Sequence, residues 1–202
     1  MATPEHKLMW KRTGERRLAD TAILHMVSRA YQTPDGPAPH EFVAIHSRDW
    51  CNIIAVTAEG RVVMIRQFRA GTESVTLEIP GGVCDGGAQG DPDPCAAALR
   101  ELEEETGIPP HLVEKISECP ERLKYDLPAE LQPRLWGGKW KGQDQDWYLV
   151  RFLGRDSDIN IATKHPEFRE WKWIEPGQLP ELIVPFKRDL YRQLLLEFAD
   201  YL

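Results

Sequence analysis

The sequence predicts an α/β fold: a three-layer α/β/α sandwich around a mixed sheet, with a small β extension at the N-terminus. Three observations carry this. Short apolar runs of strand character dominate the first 80 residues, one capped acidic helix interrupts them, and an amphipathic helix closes the chain.

In chain order, strands are expected over Thr21–Ser28, Phe42–His46, Cys51–Thr57, Arg61–Phe68 and Val75–Ile79. Turn signals separate them, among them Pro34-Asp35-Gly36-Pro37 and Ala58-Glu59-Gly60. A helix is expected over about 94–106, with Asp93 as N-cap, Pro94 at the first helical position, and Gly107 followed by Pro109-Pro110 as the stop. Further strands are expected over Asp146–Phe152, Ile159–Thr163 and Arg169–Ile174. The last helix should run from about Pro185 to Tyr201, where Leu190, Leu194, Phe198 and Tyr201 recur on one face. The organisation read from this pattern is residues 1–47 as a strand extension and 48–202 as the main domain.

At 202 residues, with 42% hydrophobic and 28% charged side chains, the chain can bury a full core. Its net charge of −7 argues against a broad electrostatic grip on nucleic acid, although a local basic patch can still hold an oligonucleotide end. Cys51, Cys84, Cys95 and Cys119 lack zinc-ligand spacing and are expected as free thiols, which with the absence of a membrane-length apolar run suggests a cytoplasmic protein.

Chemistry concentrates between Gly81 and Ile108. Glu101, Glu104 and Glu105 stand at i, i+3 and i+4, so three carboxylates share one side of a helical turn. Most Glu runs are solvated faces. Here the density of hard oxygen ligands also suits Mg²⁺, with Mn²⁺ as the alternative. Arg100 can reach Glu104 at i+4 and orient it.

The string Arg100-Glu101-Leu102-Glu103-Glu104-Glu105-Thr106-Gly107-Ile108, with Gly81-Gly82 upstream, resembles the end of the Nudix box, and the fold expected above is also the Nudix fold. One position departs from the family pattern. The loop Glu should fall at Pro92 counting back from Arg100, or at Ala88 counting forward from Gly82. The segment from Asp85 to Asp91 therefore reads as an insertion, with Asp91 or Asp93 as stand-ins for that Glu.

The two sides of the box resemble different branches. Upstream, Val62–Arg69 and Thr76–Gly82 are similar to ADP-ribose and nucleotide-sugar pyrophosphatases, a branch with an extra N-terminal sheet used for homodimerisation. Downstream, Leu123–Pro128, Trp136–Tyr148, Pro166–Trp173 and Pro185–Tyr191 are similar to dinucleoside-polyphosphate hydrolases and bacterial RNA 5′-pyrophosphohydrolases. Such a mosaic, natural or chimeric, has its seam between Gly107 and Leu123.

The resemblance implies metal-dependent hydrolysis of a phosphoanhydride in a nucleoside polyphosphate, such as diadenosine tetraphosphate or the 5′ end of RNA. The upstream half favours ADP-ribose instead, and the missing loop Glu leaves room for a non-catalytic binding module. By resemblance, Glu101, Glu104, Glu105 and a carbonyl near Gly82 hold the metal, and Glu104 or Glu167 is the base. Candidate substrate contacts are Tyr125, Lys139, Lys141, Arg66, Arg69 and Lys187. Lys187 begins the last helix, where a cation opposes the helix dipole; a phosphate or carboxylate partner accounts for it, and so does simple solvation.

Overall fold

The structure is a computed structural model that describes residues 9–21, 24–34, 36, 38–69, 73–84, 93–130, 132, 141–163 and 168–202. The chain divides after Arg48 into two compact units.

The first unit is an antiparallel sheet of three strands in the order β1 (Lys11–Asp20), β2 (Leu24–Gln32), β3 (His40–Ser47). β1 was not expected. Its ten residues are all exposed, so it carries no apolar alternation and exists by hydrogen bonding to β2, aided by ion pairs such as Glu15–Arg29 at 2.7 Å.

In the second unit, β4 (Trp50–Val56), β5 (Val62–Arg69), β10 (Gly142–Phe152) and β11 (Phe168–Ile174) fall where apolar runs placed strands. The sheet runs β11-β5-β4-β10-β8, with β8 at Val113–Glu118. β4 and β10 are parallel and the other pairs antiparallel, so the sheet is mixed. Three short strands attach to it: β6 (Ser74–Glu78) to β5, β7 (Gly81–Val83) to β4, and β9 (Leu123–Asp126) to β10.

Alternation along the central strands sorts side chains into two apolar layers. Ile53, Ala55, Val63 and Val150 face α1 (Pro94–Thr106) through its Ala97, Ala98 and Leu102. Ile54, Val56, Met64 and Leu149 face the C-terminal segment, which holds α2 (Leu179–Leu182) and α3 (Arg188–Glu197), through Leu179, Leu190, Leu194 and Phe198. The sheet between these two layers is the α/β/α sandwich.

Two expectations are corrected. Ile159–Thr163 is not a strand. Ile159 is buried in the α1 layer, and the Asn160 N–H donates to the Thr106 carbonyl at 2.7 Å, so this β-prone segment secures the end of α1. The last helix is shorter than Pro185–Tyr201, because Pro185–Lys187 forms a 3-10 turn and the α-helix ends at Glu197. Among the described residues no helix is long and apolar enough to cross a membrane.

Leu194 is fully buried between α3 and the sheet. Leu194→Ala should lower unfolding free energy by about 3 kcal/mol, read from urea denaturation midpoints.

Candidate active site

The site is built where β4 and β5 part. They pair at Val56 and Val62, and at the other end of β4 the strand β7 lies alongside it, Gly82 opposite Cys51. α1 lies over β7, and its rotation is set by the buried stripe Ala97, Ala98, Leu102 and Thr106. Its ends are as expected: the Asp93 carboxylate accepts from the Cys95 N–H at 2.9 Å, and Gly107 adopts φ 72° while donating to the Glu103 carbonyl. Asp93 is therefore the helix cap, using one carboxylate oxygen. Asp91 lies outside the described residues.

That rotation turns Glu101 and Glu105 towards β7. The Gly81 N–H donates to Glu105 Oε2 at 3.0 Å, and the Glu101 carboxylate lies so close to Gly82 that a Cβ there would overlap it. A Cβ on Gly81 would meet the Cys51 carbonyl and Asn52 on the opposite side. Neither glycine has positive φ, so the pair is required for space and not for backbone freedom.

Glu104 looks outward, 65% exposed, with its carboxylate 3.9 Å from Arg100 Nε. Among the described residues no three His, Cys, Asp or Glu side chains stand close enough together to hold a cation, so a site using all three helix carboxylates requires Glu104 to swing in. The donors fit a divalent cation in type, being hard oxygens beside a strand stripped of side chains. The Gly82 carbonyl accepts a weak hydrogen bond from the Cys51 thiol at 3.6 Å.

Beside this acidic edge lies a cluster of charged side chains. Arg69, at the end of β5, donates to both oxygens of Glu78 at 2.8 and 2.7 Å, and Thr76 Oγ1 also donates to that carboxylate. Lys187, in the 3-10 turn before α3, places its ammonium 4.9 Å from the centroid of the Tyr125 ring. The Tyr125 hydroxyl donates to Gln143 at 3.1 Å.

Burial raises the Glu78 pKa, but the Arg69 hydrogen bonds, the nearby Lys187 charge and the Thr76 hydroxyl outweigh it and bring the carboxyl to about 2. Burial lowers the Lys187 pKa; the Arg69 charge acts in the same direction and Glu78 opposes both. Arg69 also feels the charge of Glu105, which links the cluster to α1.

Three of the six expected substrate contacts, Arg69, Lys187 and Tyr125, are thus brought together. Tyr125 is not the open ring expected. It is buried, with Phe186 5.6 Å away and Lys187 over its face, and burial pushes its hydroxyl pKa up to about 12. Arg66 is not part of the cluster: three residues before Arg69 on the strand, it leaves the opposite face, where it is exposed and 3.3 Å from Glu170. Lys141 is exposed at the entry to β10, while Lys139 and Glu167 lie outside the described residues. Glu78 was missed. Its signal was a lone acid ending the Val75–Ile79 strand, nine residues after Arg69, the spacing of a hairpin.

A model of the NUDIX domain matches residues 46–194. The chain belongs to the Nudix family. A protein named RNA pyrophosphohydrolase from Dinoroseobacter shibae is 45% identical over 165 residues, 81% of this chain and 99% of that one. A protein of the same name from Zymomonas mobilis is 56% identical over 114 residues, 56% of this chain and 74% of that one. Among solved structures, a C. elegans Ap4A hydrolase matches with TM-score 0.53 and 18% identity, covering 76% of this chain and all of that one. An ADP compounds hydrolase matches with TM-score 0.53 and 14% identity over 95% of this chain and 93% of that one. Both structural matches bear on the fold alone. As in other Nudix hydrolases, the box helix implies a divalent cation.

Two outcomes follow from this geometry. Gly82→Ala should leave the fold intact by circular dichroism while displacing Glu101, and should lower metal-dependent turnover at least tenfold. Glu78 has a depressed pKa, so its stabilising contribution is complete above its ordinary value of 4.5 and is lost as pH falls through about 2. The difference in Tm between the wild type and Glu78→Gln should therefore be largest near pH 6 and shrink steadily below pH 4.5.

Proposed function

We propose that this Nudix protein hydrolyses a phosphoanhydride bond of a nucleoside polyphosphate, with the 5′ end of RNA and diadenosine tetraphosphate as leading substrates and Mg²⁺ as the metal. The observation that carries this reading is the adjacency of the acidic edge, Glu101 and Glu105 on the Gly81-Gly82 strand, to the Arg69–Lys187 cluster. A polyphosphate needs both, metal-facing oxygens at the bond that breaks and fixed cations along the rest of the chain. Relatives named RNA pyrophosphohydrolase, 42–56% identical over more than half of this chain, support the choice of substrate.

In this reading Glu101, Glu104, Glu105 and the Gly82 carbonyl hold the cation, which when bound offsets negative charge on the pyrophosphate. Arg100 orients Glu104. A carboxylate, Glu104 or Glu167, accepts the proton of the attacking water. Arg69 and Lys187 contact phosphate oxygens, with Tyr125 holding Lys187 in place. Lys139, Lys141 and Arg66 serve more distant parts of the substrate.

A second reading has one observation in its favour. Val62–Arg69 and Thr76–Gly82, on the upstream side of the box, resemble ADP-ribose and nucleotide-sugar pyrophosphatases. In that reading the substrate is ADP-ribose and the three-stranded N-terminal unit, residues 1–47, pairs two copies of the chain.

The test is a competition assay with Mg²⁺, 5′-triphosphate RNA, diadenosine tetraphosphate and ADP-ribose in equal amounts, with products identified by mass spectrometry. Pyrophosphate from RNA, or ATP plus AMP, is expected first; ribose 5-phosphate plus AMP appearing first would select the second reading. Glu101→Gln should lower turnover of the preferred substrate by roughly 10²-fold or more without changing the melting curve appreciably.

A further inference from the structure

The charged cluster beside the acidic edge holds three buried or half-buried charges, Arg69, Lys187 and Glu78, where a phosphate-binding site needs only its cations. Arg69 and Lys187 are the cations. Glu78, its side chain 12% exposed, is tied to Arg69 through both oxygens and to Thr76, and it faces the Lys187 ammonium. A carboxylate so placed is unfavourable to any phosphate that enters. The net charge offered to a substrate is therefore one positive charge, shared between two cations, and not two.

Simple stability does not require this arrangement. Arg69 is 38% exposed and within reach of solvent, so its guanidinium has water as an alternative partner. Glu78 ends β6, pairs with Ile65 on β5, and stands three residues before Gly81. Its carboxylate fixes the guanidinium, and its charge also acts on Lys187.

The geometry points to Glu78 as a specificity-determining positioning residue, which holds Arg69 in place and, by cancelling one of the two cationic charges, sets how many negative charges the cluster prefers in its polyphosphate ligand. Glu78 touches no substrate in this account. It acts through Arg69 and Lys187, and it biases the cluster towards chains with fewer charges than two uncompensated cations would select. The inference rests on the polyphosphate reading for its ligand class, but its test needs no turnover.

The probes are inorganic tripolyphosphate and pyrophosphate, titrated calorimetrically into the full chain in EDTA at low salt. Glu78→Gln should raise the ratio of tripolyphosphate to pyrophosphate affinity about tenfold, whereas Glu78→Asp, which keeps the charge, should leave it within about twofold. No change in the Gln variant, or the same change in both variants, overturns the proposal. If Glu78→Gln does not fold, the double variant Glu78→Gln/Arg69→Gln carries the test. It restores a single positive charge, so a wild-type ratio is expected, and a lowered ratio would show that Glu78 had not been offsetting Arg69. With 5′-triphosphate and 5′-diphosphate RNA the same variant should move the ratio of KM values and leave kcat unchanged; an effect confined to kcat would count against the proposal. Failure of RNA as a substrate, with the inorganic ratio still shifted, would reject the substrate reading alone.

Discussion

The close approach of α1 to β7 is the constraint on which the rest of the site depends. A helix bearing Glu101, Glu104 and Glu105 on one turn can lie against a strand only where that strand has no side chains. Gly81 and Gly82 meet this need in two directions, Gly81 towards the Cys51 carbonyl and Asn52 of β4, Gly82 towards the Glu101 carboxylate. The buried stripe of α1 then fixes which carboxylates face inward, so packing against Ile53, Ala55 and Val63 determines the orientation of the acidic edge. Like charges on one turn repel, and here Glu105 and Glu104 each have an outlet. Glu105 accepts from a backbone N–H, and Glu104 reaches solvent beside Arg100.

The two layers flanking the sheet bring opposite charges towards Arg69 and Glu78. α1 brings carboxylates from one side, while the segment leading into α3 brings Lys187 from the other. Arg69, at the end of β5, lies between them and feels both Glu78 and Glu105. Parallel pairing of β4 with β10 sets Gln143 and Tyr125 close to Lys187, because β9 pairs with the first residues of β10. The site is thus a consequence of where β4 and β5 diverge, and its polarity follows from which layer supplies each side.

Much of this was legible in the sequence for physical reasons. α1 carried its own signals: the Asp93 cap, Pro94, the Gly107 stop and an apolar stripe all act locally, so its bounds at 94 and 106 could be read directly. The central strands were legible because burial on both faces demands long apolar runs. β1 was not, since a strand with every residue exposed is specified only by its partner. β7 reads as a Gly-Gly turn because the property that matters, room for a neighbouring helix, is tertiary. Ile159 was read as strand because burial leaves the same apolar mark whether it serves a sheet or a helix end. Arg69 and Lys187 were found as cations, but the approach of Lys187 to Glu78 joins residues over a hundred positions apart and had no local trace. Tyr125 was chosen for its ring, whose burial is decided by Phe186 and Lys187.

The central claim is that the helix carboxylates and the glycine strand together form one divalent-cation site. Electron paramagnetic resonance of Mn²⁺ titrated into the wild type and Glu101→Gln tests it most directly, because it reads binding without requiring turnover or a known substrate. The account expects saturable binding in the wild type, weakened at least tenfold in Glu101→Gln with its secondary structure unchanged. Equal Mn²⁺ affinity in the two proteins would contradict it and place the cation elsewhere on the chain.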